Sequence, residues 1–262
     1  MISYLVLGLI QGLTEFLPVS SSGHLVLAER LFGLTSPGLM FEACLHLGTV
    51  AAILVFFRSD LAALGRALTP RGDIGRRKEI GFLLLGTVPI VIVGLVLRGS
   101  ADRWFHSLWV VGIGWMATAG MLLLADRRAH RSSVAEPSVA GALAMGVAQS
   151  AALVPGVSRS GFTIGAGVLA GLRPERAARF SFLLSIPAVV GAAGLALWDG
   201  VQEHALGDSN VLGILLGSTV AFLVGFLALR AFLSLLTRTR LWPFALYCAA
   251  LSVTALLLAA LR

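Results

Sequence analysis

The sequence predicts an all-α polytopic membrane protein built as an inverted repeat, each half a re-entrant helical hairpin followed by three transmembrane helices. Three observations carry that prediction. First, 57% of the 262 residues are hydrophobic, only 13% are charged, and mean hydropathy is +0.91; soluble domains run near ~25% charged. That excludes an ordinary soluble enzyme, and it excludes disorder, which needs low hydrophobicity and high charge. Second, apolar runs at about 41–57, 80–97, 107–125, 178–198, 211–233 and 241–261 approach or exceed the ~20 residues that cross a bilayer. Third, the basic residues gather on one side when those runs are made to span.

Two further apolar regions are interrupted. Residues 3–33 are broken by Pro18-Val19-Ser20-Ser21-Ser22-Gly23-His24, and residues 138–171 by Pro155-Gly156-Val157-Ser158-Arg159-Ser160-Gly161. Each arm has roughly 10–15 residues and reaches roughly 15–22 Å, short of a hydrocarbon core of ~30 Å. A polar break between two short apolar arms predicts a hairpin that returns to its own side. Irregular backbone at membrane depth is tolerated only where protein or water satisfies it. The alternative is a pair of ordinary kinked or spanning helices. Trp104, Trp109, Trp198 and Trp242 fall at predicted span ends, where interfacial anchoring explains them. Cys44 and Cys248 lie inside apolar runs and read as reduced packing residues. The start lacks a basic n-region, so no cleaved signal peptide is expected.

The charges set the topology. One side collects Arg58, Arg66, Arg71, Arg76, Arg77, Lys78, Arg127, Arg128, Arg131, Arg173, Arg176, Arg179, Arg230, Arg238 and Arg240, the other Arg30, Arg98, Arg103 and Arg262. The rich side is cytoplasmic, which puts both chain ends outside the cytoplasm. The loop 199–210 on the poor side carries Asp199, Glu203 and Asp208 and no Lys or Arg. The net charge of +7 therefore serves orientation, and no nucleic-acid partner is expected. Residues 1–262 read as a single membrane domain with a first repeat over 1–125 and a second over 138–262. Three spans per half is an odd number, so the second half enters upside down, the plan of many transporters. The breaks also resemble each other: Gln11 precedes Pro18, Ser20, Ser22 and Gly23, and Gln149 precedes Pro155, Ser158, Ser160 and Gly161. The two tips can then meet within the membrane.

Polar groups inside a membrane are costly and mark function. The first hairpin offers Gln11, Thr14, Glu15, Ser20, Ser21, Ser22 and His24; Gln11 and Glu15, four apart, share a helix face. Capping accounts for one serine of the run, not for the nearby Glu and His. The second hairpin offers Gln149, Ser150, Ser158, Arg159, Ser160 and Thr163. Uncharged stretches flank Arg159 over 137–158 and 160–172, which speaks against snorkelling to an interface. Helix N-termini supply free N–H groups for phosphate, and Arg159 adds a matching fork. Ser21, or an activated water, is a candidate attacker. His24, three residues on, is a candidate base. Glu15 either orients His24 or holds a divalent cation with Gln11. Together these point to phosphoryl chemistry on an amphiphilic substrate. Glu42 and His46, four apart, read as a packing or pore-lining pair, and His106, His130 and His204 as solvated loop residues.

The run Gln11-Gly-Leu-Thr-Glu15-Phe-Leu-Pro-Val-Ser-Ser-Ser-Gly-His24 resembles the first signature of the bacterial undecaprenyl-diphosphate phosphatases, the bacitracin-resistance family. Pro155-Gly-Val-Ser158-Arg159-Ser160-Gly-Phe-Thr163 is similar to the second, and Phe182-Leu-Leu-Ser-Ile-Pro187 also looks like the family. Gln11 stands at the variable acid position, leaving one carboxylate in the first signature. The resemblance implies hydrolysis of undecaprenyl diphosphate to the monophosphate and phosphate, returning the carrier to wall synthesis and removing the target of bacitracin. It implies a magnesium or calcium ion and a site of Glu15, Ser21, His24, Ser158, Arg159 and Thr163 with Gln11 nearby. Taken with the residue reading above, the candidate metal ligands are Glu15 and Gln11, the catalytic residues Ser21, His24, Glu15 and Arg159, and the phosphate-binding residues Ser20, Ser22, Ser158, Arg159, Ser160 and Thr163. The expected setting is the bacterial inner membrane, with the site open to the periplasmic face. The expected partners are a polyprenyl diphosphate and the bilayer, with a homodimer left open. Acid-phosphatase-type lipid phosphatases are excluded because no histidine follows Arg159 until His204. A polyprenyl-phosphate transporter or flippase remains the alternative; it needs Arg159 but has no use for a Ser21–His24 pair.

Overall fold

A computed structural model of the chain describes residues 1–33, 38–97, 107–202, 210–236 and 240–261. Among these residues there are eleven helices and no strand. In chain order they are α1 (Ile2–Thr14), α2 (Ser21–Phe32), α3 (Leu39–Phe56), α4 (Arg58–Ala67), α5 (Ile74–Val96), α6 (Leu108–Ala129), α7 (Val139–Ala151), α8 (Arg159–Leu169), α9 (Pro174–Gln202), α10 (Val211–Leu236) and α11 (Trp242–Ala260). Six of them, α3, α5, α6, α9, α10 and α11, are long and apolar enough to cross a membrane. They coincide with the six apolar runs. The helix pairs α1/α2 and α7/α8 are the short arms, parted at the two breaks the sequence marks.

The helix ends reach beyond the apolar runs on the basic side. The α5 helix starts at Ile74 because Asp73 caps it, its Oδ1 accepting the Arg76 N–H at 2.7 Å. The α9 helix starts at Pro174, whose fixed φ suits a first turn. Helix α4 is an addition to the sequence reading, which places no element between the apolar runs 41–57 and 80–97. It buries Leu64 and Ala67 and pairs Asp60 with Arg179 of α9. Further ties close this end: Arg176 Nε donates to the Ala135 carbonyl (2.7 Å), Arg77 Nε to the Ala67 carbonyl (2.7 Å), and Leu241 N–H to Asp126 (2.7 Å). The connections that carry most of the basic residues therefore meet. Of the residues counted for topology, Arg98, Arg103, Arg238 and Arg262 lie outside the described residues, as do Trp104, His106, His204, Glu203 and Asp208.

Packing rests on small residues, as membrane helix interfaces require. Helix α1 lies along α10, where Gly8 and Gly12 approach Gly217, Ala221 and Gly225; α7 lies along α5, where Gly146 meets the Gly86 carbonyl. Helix α6 pairs with α11, and α3 sits between α9 and α10. An aromatic chain of Phe16, Phe57, Phe182 and Phe232 fills the centre. Outward, α5 exposes Leu84, Val88, Val91, Ile92 and Leu95, a surface that suits lipid. Trp109, Trp198 and Trp242 are exposed near helix ends, and Cys44 and Cys248 are free thiols.

Candidate active site

Both breaks are held by one post, helix α6. Trp115, fully buried, donates its indole N–H to the Val19 carbonyl in the first break (2.8 Å). One turn on, Thr118 Oγ1 accepts the Ser158 N–H of the second break (2.9 Å). Gly156 has φ +87° and packs against the Val111 carbonyl, where a Cβ would collide; only glycine meets both demands. From α11, Cys248 Sγ reaches the Pro18 carbonyl at 3.5 Å.

The two breaks then start their second arms in the same way. Ser20 caps α2 by accepting the Gly23 N–H (3.3 Å), and Ser158 caps α8 by accepting the Gly161 N–H (3.1 Å). Ser20 Oγ lies 3.3 Å from Ser22 Oγ, and Ser158 Oγ lies 3.2 Å from Ser160 Oγ. Ser21 and Arg159, the first residues of α2 and α8, occupy matching positions, and both reach Glu15.

Glu15 is the hub. It sits at the end of α1 with its side chain 6% exposed, so its charge must be met by partners. Arg159 donates Nη2 to Oε1. Ser21 Oγ donates to Oε2 at 2.6 Å, and Gln11 Nε2 donates to the same oxygen at 2.9 Å. The Gln11–Glu15 pair is the shared helix face read from their spacing. His46 Nε2 lies 3.8 Å from Oε2. His46 Nδ1 is 2.9 Å from the Glu42 carbonyl; a carbonyl only accepts, so Nδ1 carries the hydrogen, and Nε2 is the atom left facing Glu15. Of the two readings the sequence left open for Glu42 and His46, packing or pore-lining, the structure has both lining the cavity. What the sequence reading misses is that His46 reaches the carboxylate. A histidine within an apolar run was the available signal.

His24 stands elsewhere. Its Nδ1–H donates to the Ser20 carbonyl (2.7 Å), its Nε2 lies 2.8 Å from the Tyr247 hydroxyl, and its ring stacks on Tyr247 and meets Trp115 edge-on. Both ring nitrogens are thus engaged away from Ser21 and Glu15, and Glu15 does not orient His24. The structure brings Ser21, Glu15 and Arg159 together and uses His24 to hold the Ser20 carbonyl. Ser20 is the one non-glycine described residue at positive φ (+68°), a strained conformation immediately before Ser21.

These groups form the polar end of a cavity of about 550 Å³. Glu15, Ser20, Ser21, Ser22, Gln149, Ser158 and Arg159 line that end, and Leu25, Val26, Leu39, Ile90, Val189 and alanines of α9 line the rest, with Glu29 and Glu42. Two predicted phosphate-binding residues do not line it. Ser160 donates to the Leu17 carbonyl (2.9 Å), tying α8 to the first break. Thr163 is fully buried, its hydroxyl on the Arg159 carbonyl (2.8 Å) and against Ser181 Oγ (2.5 Å). Ser150 donates to the Gly146 carbonyl (3.2 Å). Among the described residues no three His, Cys, Asp or Glu side chains gather as a metal cluster.

Comparison with known proteins adds independent findings. The family described as bacitracin resistance protein BacA matches residues 4–254. Proteins named undecaprenyl-diphosphatase are similar over nearly the whole chain. The one from Desulfosudis oleivorans is 44% identical over 257 residues, covering 93% of each protein. Those from Nocardioides sp. and Rubrobacter xylanophilus are 42% and 44% identical, covering 98% and 97% of this chain and 95% and 97% of their own lengths.

Proposed function

The chain belongs to the bacitracin resistance protein BacA family, and from that premise we infer that it is an integral, multi-pass membrane phosphatase that hydrolyses undecaprenyl diphosphate to undecaprenyl phosphate and phosphate. It recycles the lipid carrier for cell-wall synthesis in the bacterial inner membrane and so confers bacitracin resistance. The family and its relatives favour hydrolysis over the transporter alternative. The observation that carries the reading is the Ser21–Glu15–Arg159 cluster at the polar end of an apolar cavity. An amphiphilic diphosphate has that polarity.

In the mechanism we propose, Ser21 Oγ attacks the terminal phosphorus while its proton passes to Glu15 Oε2, its hydrogen-bond acceptor at 2.6 Å. The bond from that phosphorus to the bridging oxygen breaks, and the lipid monophosphate leaves with the bridging oxygen and its electron pair. Water then attacks the phosphoserine, inorganic phosphate leaves, and the proton held on Glu15 returns to Ser21 as the water's proton goes to the departing phosphate or bulk solvent. Arg159, whose Nη1 is buried without a protein partner, meets the charge that develops on the transferring group. His24 braces the Ser20 turn that presents Ser21. Serines 20, 22 and 158 complete the phosphate cradle, with Ser160 and Thr163 holding the α8 turn behind it.

The divalent cation the family implies is part of the same proposal. Gln11 Oε1 is buried without a partner beside the Glu15 carboxylate, and hard cations take such oxygens, with substrate phosphates supplying further ligands. Gln11 and Glu15 would hold magnesium or calcium, whose charge would offset that of the diphosphate. The inverted repeat belongs to the same proposal, supported by the matched serine caps and by the reciprocal pairing of α1 with α10 and α7 with α5. So does an opening to the outer face: the cavity lining runs from Ser21 and Arg159 toward Gly38, Leu39 and Ala196, at the ends of α3 and α9 remote from the basic connections. Nucleic acid has no part in it, and a homodimer is a further proposal that mass measurement in detergent tests. The decisive experiment supplies purified protein in detergent with a long-chain prenyl diphosphate. Phosphate release dependent on a divalent cation is expected; no release under any cation refutes the assignment.

A further inference from the structure

Gln149 lies on α7, in the last turn before the second break. It is wholly buried, lines the cavity, and neither its Nε2 nor its Oε1 has a hydrogen-bond partner. A primary amide carries two N–H donors and an accepting oxygen, and native interiors seldom leave such groups unmet. Since both atoms lack partners, swapping the amide oxygen and nitrogen changes nothing. The corresponding and adjacent polar residues are committed elsewhere. Gln11, its counterpart in the first hairpin, donates to Glu15, and Ser150 donates to the Gly146 carbonyl. Arg159, which lines the same cavity, carries a second unmet donor, its buried Nη1, on a guanidinium whose Nη2 is already spent on Glu15. Two unmet donors, one of them cationic, on residues that line one cavity match an anion with several oxygens. Charge-bearing Arg159 supplies attraction; a neutral amide supplies a directed N–H without another charge to desolvate.

We propose that Gln149 is a substrate-contacting residue that binds the diphosphate directly, its Nε2–H donating to a non-bridging oxygen of the phosphoryl group and its Oε1 accepting from a protonated phosphate oxygen or from water. This rests on the phosphatase reading above. An amide placed only to hold α7 would have a protein partner, and removing it would weaken the fold. An amide kept for a ligand leaves the empty protein more stable when it is replaced by an apolar side chain of like shape.

The test uses purified full-length protein and two variants, Gln149→Met, which keeps the unbranched shape, and Gln149→Glu, which places a carboxylate against the anion. Thermal midpoints in detergent are measured with and without inorganic phosphate, and kcat and KM with a long-chain prenyl diphosphate. Wild-type protein is expected to gain midpoint with phosphate. Gln149→Met is expected to match or exceed the wild-type midpoint without phosphate, to lose most of the phosphate-induced rise, and to lose kcat/KM by roughly 10- to 100-fold, the effect of one hydrogen bond to a charged group. Gln149→Glu is expected to lose more. The proposal is overturned if Gln149→Met keeps kcat/KM within about twofold and the phosphate-induced rise, if its only change is a lower midpoint, or if phosphate leaves the wild-type midpoint unmoved. Wild-type protein that shifts with phosphate yet releases none from the prenyl diphosphate counts against the phosphatase reading alone, and the variants' phosphate shifts then decide Gln149.

Discussion

Replacing Arg159 separates charge from geometry. Its side chain is 14% exposed, that of Glu15 6%, and the two pair through Nη2 and Oε1. Arg159→Ala leaves a carboxylate buried without its cation, a loss of about 3–5 kcal/mol in folding stability. It also removes the donor held for the transferring phosphoryl group, about 2.7–4 kcal/mol of transition-state stabilisation, or ~10²–10³ in kcat. Arg159→Lys distinguishes the two effects. One ammonium preserves the charge opposite Glu15, so the thermal midpoint should stay near wild type. It cannot also present a second, fixed donor to phosphate as the guanidinium fork does, so kcat should still fall by ~10²–10³. Initial rates of phosphate release across substrate concentrations give kcat and KM separately, and a melting curve in the same detergent gives the midpoint. If Arg159→Lys keeps kcat within about threefold of wild type, the fork is irrelevant and Arg159 acts only as positive charge.

Further expectations concern the rest of the site. Quenching with labelled substrate should trap an acid-stable phosphoserine that disappears in Ser21→Ala; an acid-labile, base-stable adduct lost in His24→Ala would move the nucleophile to His24, and no adduct with Ser21→Ala still active would mean water attacks. If His24 acts by bracing the Ser20 carbonyl at 2.7 Å, His24→Asn, whose amide can still donate, should retain at least about tenfold more activity than His24→Ala; equal loss in both variants would favour proton transfer by the ring. Chelating divalent cations should lower the hydrolysis rate and adding back magnesium or calcium should restore it, whereas full activity in chelator would remove the ion from Gln11 and Glu15.

What the sequence by itself determined was the scaffold and the cast. Hydrocarbon thickness and the need to satisfy backbone groups internally leave little choice, so apolar runs of spanning length become α3, α5, α6, α9, α10 and α11, and Pro18 and Pro155 mark where short arms end. Helical spacing also placed Gln11 over Glu15, because both lie at the end of one regular helix. Spacing alone does not settle partners: Ser21 and His24 lie three apart in the one helix α2, yet Ser21 turns back six residues to Glu15 across the break while His24 turns to Tyr247 of α11. The same limit applies to Thr163, four residues after Arg159 yet packed on Ser181. Tertiary structure alone joined Arg159 to Glu15 over 144 residues, set Trp115 and Thr118 under both tips, and brought His46 beside the carboxylate. Local spacing decides which residues share a helix face; which partner each side chain meets depends on the helices that approach it, and their approach is set by glycine contacts on distant segments.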